Sequence, residues 1–171
     1  PGRPDEPVIY QLALERSGLK RVADVFGFEV ADLNGRGTVE LYNPDGVGWK
    51  RAPATKALYE ADALISLPKL KTHDLMGYTG AVKNVWGFLE GSARRQLHLT
   101  YRDHRQFAEA LVDTYAAMRP QLSLMDAVVS MEGDGPERGT PRQTGFIAAS
   151  RSAPALDYVA TSLVGIEPMS V

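Results

Sequence analysis

The chain contains no cysteine. That absence excludes disulfides, a thiol nucleophile, a Cys₄ zinc site and any iron–sulfur cluster held by thiolates from these residues. Long apolar runs are missing too. None approaches the ~20 residues that span a bilayer, and no signal peptide opens the chain, so the expected compartment is the cytoplasm. Net charge is small, at −2, and the sequence pI is about 5.9, which argues against broad nucleic-acid affinity. Aromatic residues are sparse at 8%, and near the arginines of the middle segment only Tyr101 and Phe107 are interleaved, so nucleic acid is not an expected partner. What is present is an ordinary globular composition, with 44% hydrophobic and 23% charged residues over 171 positions. A chain of that length is expected to form one α/β domain over 1–171 and to bury roughly two-thirds of its unfolded surface. It begins at Pro1 rather than Met, as a processed chain or an excerpt would.

Near-neutrality conceals a sorted chain. Residues 61–105 carry 7 basic and 4 acidic side chains and all three histidines, His73, His98 and His104. Residues 106–171 carry 4 basic and 8 acidic side chains.

Periodicity predicts the elements. A short amphipathic helix is expected over Glu6–Ser17, ended by Gly18. Phe28–Leu33 and Thr38–Tyr42 read as strands, joined as a hairpin by the turn residues Asn34-Gly35-Arg36-Gly37. Ala54–Glu60 reads as a short helix, and Ala63–Leu67 as a compact buried strand stopped by Pro68. Thr79–Leu89 is helix-compatible. His104–Arg119 is the clearest helix, with Phe107, Leu111, Tyr115 and Met118 on one stripe and Pro120 closing it. Leu122–Met131 and Thr144–Ala149 read as strands. Ala153–Val164 reads as a helix with Ser152 as its cap, Pro154 in its first turn and Gly165 at its end. Alternating strands and helices predict an α/β fold, a mixed or mostly parallel sheet flanked by helices.

Three segments carry unusual polar chemistry. Pro68-Lys69-Leu70-Lys71-Thr72-His73 follows the expected buried strand, and ligands of open α/β sheets bind just past strand carboxyl ends. Strand alternation would point Lys69, Lys71 and His73 the same way, three cations that need an anion or acidic partner. Gly77-Tyr78-Thr79-Gly80-Ala81-Val82-Lys83-Asn84 brings glycines to a helix entrance, where free backbone N–H groups attract anions. It matches neither the P-loop nor the dinucleotide fingerprint, since Gly77 and Lys83 are misplaced and Asn84 replaces the Mg²⁺-binding hydroxyl. Asp126 through Glu132-Gly133-Asp134-Gly135-Pro136 runs a strand into an acidic turn. Glu132 and Asp134 there could serve as base, counter-charge or metal ligand, but their spacing fits no calcium loop and no metal site is assigned. Ser66, Ser130 and Ser150 lack a nucleophile-elbow context.

In order and spacing these segments, with Gly139 and the tail residues Asp157, Ala160, Gly165, Ile166 and Pro168, resemble the domain of unknown function 362 family. The likeness is strongest from about Ala61 onward. It implies a site shared by Lys69, Lys71, His73, Lys83, Asn84 and Glu132. It also implies that this chain is the core of a larger domain lacking an N-terminal segment, because family members generally begin earlier. Many members carry ferredoxin-type clusters in additional sequence, so a cluster is expected only in flanking sequence and none within this chain.

The leading expectation is therefore a small anionic ligand, phosphate or carboxylate. Lys69, Lys71 and Lys83 would supply charge, Thr79 and Gly80 donors, and Asn84 a further contact. His73 or Glu132 would act as acid or base if chemistry occurs. The alternative, which rests on the resemblance, is a non-catalytic accessory module with a redox partner that carries the iron–sulfur cluster. A third reading makes the lysines and Glu132 an ion network that orders the loops.

Overall fold

The computed structural model describes residues 7–33 and 35–170, with side chains described from Tyr10 onward. Asn34 of the expected turn, and the Val8 and Ile9 side chains of the first helix, fall outside the described part. The chain opens with α1 (Pro7–Ser17) and α2 (Leu19–Phe26), joined at Gly18, whose φ of 73° is left-handed. Gly18 ends the first helix as expected, but a second follows it. Phe28–Leu33 forms no strand. The partner of β1 (Thr38–Tyr42) is β2 (Arg51–Thr55), reached through the Asn43–Gly46 turn. A hairpin needs a partner with a buried face, and Ala52 and Ala54 of β2 supply one opposite Leu41.

The hairpin is pinned to the main helix by Trp49. Its indole Nε1 donates to the Ala110 carbonyl at 3.1 Å and to Thr114 Oγ1 at 3.2 Å. The buried Asp113 carboxylate accepts from Gly48 N at 2.6 Å and Trp49 N at 3.0 Å. That helix, α6 (His104–Met118), follows the short α3 (Ala57–Glu60), α4 (Ala81–Asn84) with a 3₁₀ turn over Val85–Phe88, and α5 (Gly91–Thr100). Asp103 caps α6 by accepting from Arg105 N and Gln106 N, satisfying two of its orphan donors.

The larger sheet is mixed. β3 (Ile65–Ser66) and β4 (Lys69–His73) both lie parallel to β6 (Leu122–Glu132). β5 (Gly77–Thr79) pairs antiparallel with β4, and β7 (Thr140–Ser150) antiparallel with β6. α7 (Ala153–Leu163) packs on β6 and β7, and α4 lies between α6 and α7. Ser123, Met125 and Ala127 of β6 are buried beneath these helices, while Leu124, Asp126 and Val128 are exposed. With Ile65, Leu67 and Ile147 also exposed, the opposite face of the sheet carries no helix among the described residues. This corrects the expectation of a buried strand at Ala63–Leu67. Only Ser66 and Pro68 point into the core there, and the strand proper is two residues long.

Two apolar clusters form the core. One joins Leu41, Trp49, Ala54, Met76, Trp86 and Phe107; the other joins Leu70, Tyr78, Met125, Ala127, Leu156 and Ala160. A fully buried side chain such as Phe107 or Met125 contributes about 1.5–3 kcal/mol. Met76 sits in the first cluster and Tyr78 in the second, so the β4–β5 hairpin is held at both ends by apolar packing.

Candidate functional site

The β4–β5 turn, Asp74–Met76, is closed by a histidine. His73 Nδ1 accepts from Leu75 N at 3.2 Å and from Met76 N at 3.3 Å, with the side chain only 8% exposed. A nitrogen that accepts two amide protons carries none, so the ring is neutral with its proton on Nε2. Burial, then the Lys83 ammonium, push the His73 pKa down to about 4, against the opposing pull of Asp74. The Asp74 carboxylate lies 3.0 Å from Nδ1 but accepts from Leu75 N at 2.7 Å, so with a neutral ring the two are not an ion pair.

From β5 the chain enters α4 through Gly80. The Asp157 carboxylate, reaching across from α7, accepts from Ala81 N at 2.6 Å, Val82 N at 2.9 Å and the Tyr78 hydroxyl at 3.0 Å. A Cβ at Gly80 would fall on the Tyr78 hydroxyl and the Asp157 carboxylate, so only glycine fits. The backbone donors expected to meet a ligand at this helix entrance are therefore already filled by the protein's own anion. Burial raises the Asp157 pKa, the three hydrogen bonds lower it, and burial is the larger influence. The Tyr78 hydroxyl is pushed up by burial and by Asp157.

One turn into α4, Lys83 is mostly buried, yet it makes no hydrogen bond or ion pair among the described residues. Burial and the neighbouring Lys71 ammonium lower its pKa to about 8, with Arg94 adding to the repulsion and Asp74 opposing it. Lys71 likewise has no ion-pair partner among the described residues. His98 of α5 completes the group. Its ring meets Trp86 edge-on at 5.9 Å and lies 4.4 Å from Phe107, and burial, then Lys83 and Arg94, lower its pKa.

Two cavities flank this cluster. One of about 250 Å³ lies between α4, α6 and α7, with Lys83, Tyr78 and Asp157 among apolar walls from Met76, Val82 and Leu111. The other, an open groove of about 970 Å³, runs between His73 and His98 on one side and the Gly133–Arg138 loop on the other.

The structure gathers Lys71, His73, Lys83 and Thr79 on the β4–β5–α4 unit, with Thr79 in register opposite Lys71. The Thr79 hydroxyl is buried without a hydrogen-bond partner among the described residues, as is that of Thr72. Others of the expected set are engaged elsewhere. Lys69 pairs with Asp126 at 2.6 Å, so of the three expected cations on β4 it already has a counter-charge. Asn84 donates to Ser66 Oγ at 2.9 Å, and Glu132 pairs with Arg142 of β7 at 2.6 Å, so it does not neutralise the lysines. Sequence reading did not find His98, Arg94 or Asp74 as site neighbours, nor Asp157 as the α4 cap. The last contact spans 76 residues and leaves no local pattern.

Among the described residues no three His, Asp or Glu side chains come together to hold a metal ion, and no helix is long and apolar enough to cross a membrane. A family model, Domain of unknown function (DUF362), matches residues 5–162, reaching well before Ala61. The thylakoid-associated protein sll1697 of Synechocystis sp. (strain ATCC 27184 / PCC 6803 / Kazusa) is 36% identical over 131 residues, which are 76% of this chain and 41% of that protein. The chain thus spans about two fifths of the length of the curated relative it matches. No solved structure matches it.

Proposed function

This chain belongs to the family of the Domain of unknown function (DUF362), and we propose that it binds a small anion, phosphate or carboxylate, at the Lys71–Lys83 cluster. The observation that carries the reading is the pair of ammonium groups. They repel one another in a partly buried setting, and neither has a counter-charge in contact among the described residues. A bound anion removes that repulsion and supplies the missing hydrogen-bond acceptor. The unpartnered Thr79 hydroxyl and the Nε2–H of the neutral His73 add donors without adding charge. Lys69 and Asn84 are held by Asp126 and Ser66, and Glu132, paired with Arg142, lines a small cavity with Lys71. His73 is the better placed of the two acid–base candidates, being buried beside Lys83.

An iron–sulfur cluster does not fit these residues, because the chain has no cysteine to ligate one.

Calorimetry with inorganic phosphate and with acetate tests the proposal. Lys83→Met is expected to weaken phosphate binding at least tenfold, whereas Lys69→Met changes it less than twofold. The folded pKa of Lys83 lies below its unfolded value, so its charged form costs stability at pH 7 and the Met variant should remain folded. Equal affinities for the parent and Lys83→Met, or no heat with either anion, would overturn the reading.

A further inference from the structure

Lys83 differs from an ordinary anion-binding lysine in where it sits. It lines the apolar cavity between α4, α6 and α7, and its surroundings split by chemistry. Towards the sheet and α5 lie charged and titratable groups: Lys71, His73 and Asp74 of the β4–β5 hairpin, Arg94 and His98 of α5. Towards α6 and α7 lie apolar walls, Leu111, Val112 and Tyr158 among them. Asp157 also lines this cavity, but its oxygens are committed to two α4 amides and the Tyr78 hydroxyl, so it offers Lys83 no ion pair. Nζ has no hydrogen-bond partner among the described residues and is not fully buried.

From this arrangement we infer that Lys83 is a nucleophilic amine that condenses with the carbonyl of a small 2-oxo acid. The inference rests on the anion reading for the carboxylate end, which the Lys71 side of the cluster would hold, while the apolar cavity takes the remainder of the molecule. The neutral Nζ attacks the carbonyl carbon and a C–N bond forms. The nitrogen gives up its two protons, the carbonyl oxygen takes up both in turn, and its C–O bond breaks to release water as the C=N bond closes. Amine plus ketone thus gives imine plus water, with no change of oxidation state. Two devices that activate lysines elsewhere, desolvation and an adjacent cation, act here together. At pH 8 about half of Lys83 is free amine, on the order of a hundredfold more than in an exposed lysine.

The test is reductive trapping of the intact protein with pyruvate and cyanoborohydride at pH 8, read by peptide mass spectrometry. Acetone serves as the ketone without a carboxylate, and inorganic phosphate as a competitor. The expected result is Lys83 modified at least tenfold faster than the exposed Lys20 and Lys50, faster with pyruvate than with acetone, and slowed by phosphate. Lys71→Met should also slow the labelling at pH 8. Removing the neighbouring cation lets Lys83 hold its proton to higher pH, so the reaction's midpoint moves upward. If pyruvate labels Lys83 no faster than Lys20 while phosphate still binds by calorimetry, the amine proposal falls and the anion reading stands. If pyruvate and acetone label Lys83 alike and phosphate protects nothing, the 2-oxo acid assignment falls and the anion reading falls with it.

Discussion

Replacing Asp157 is the sharpest test of how the site is built. Its two oxygens hold three donors: Oδ1 accepts from Ala81 N and the Tyr78 hydroxyl, and Oδ2 from Val82 N. Asp157→Ala leaves all three without an acceptor in a buried setting. Each lost hydrogen bond to a charged group costs about 1.5–3 kcal/mol, so the sum is roughly 4–6 kcal/mol after some relaxation. A domain of this size has about 5–15 kcal/mol in all, so the variant should approach the edge of folding. Asp157→Asn is the graded control. Its carbonyl oxygen can keep Ala81 N and Tyr78, but its amide faces Val82 N–H, donor against donor, at a cost of about 1–3 kcal/mol. Tyr78→Phe removes the third donor and leaves the two amide bonds intact, so it should cost least. Urea unfolding followed by tryptophan fluorescence gives the three values, and hydrogen exchange at Ala81 and Val82 reports the cap directly. A loss under 0.5 kcal/mol for Asp157→Ala, with both amides still protected, would refute the claim that this carboxylate holds α4 in place.

The remaining expectations concern pH and the hairpin anchor. His73 has a folded pKa of about 4, below its unfolded value near 6.5, so the unfolded chain takes the proton first as pH falls. Stability should therefore drop between pH 6.5 and 4, by up to about 3 kcal/mol, and His73→Gln should flatten that part of the profile. Urea midpoints across the window check it, with the imidazole resonances of His73 still those of a neutral ring at pH 6. Asp113→Ala orphans the amides of Gly48 and Trp49 and should cost about 2–4 kcal/mol, with a shift in Trp49 fluorescence as the β1–β2 turn leaves α6.

How far sequence alone reached depends on whether a signal was local. α6 and α7 were legible because the apolar stripe of α6, the Ser152 cap of α7 and the terminal Pro120 and Gly165 are all short-range features. β6 was legible as a strand-like run, but its buried face, Ser123, Met125 and Ala127, is not its most apolar one. The Thr79–Leu89 helix was half right: α4 and a 3₁₀ turn divide it, and the peptide at Leu89 returns to β-structure to bridge Ala54. α5 was missed because its apolar residues are few and spaced weakly. Lys71, His73, Thr79 and Lys83 of the expected set lie near one another because they sit on one hairpin and the helix that follows. Lys69 shares β4 but has its own counter-ion, Asp126, a contact across 57 residues that strand alternation does not encode. His98, Arg94 and Asp157 arrive through tertiary packing, which no spacing encodes.

The occupation of the α4 entrance by Asp157 bears on how any ligand is sensed. Backbone amides keep their protons at every physiological pH, so a site built from them responds to concentration alone. Here those amides are spent, and an incoming anion meets side chains that exchange protons with the solvent. An anion that favours the ammonium form of Lys83 must draw a proton from the medium as it binds above about pH 8. On the proposed anion reading, ligand capture and proton uptake are one equilibrium, visible as a binding heat that depends on the buffer's own ionisation enthalpy.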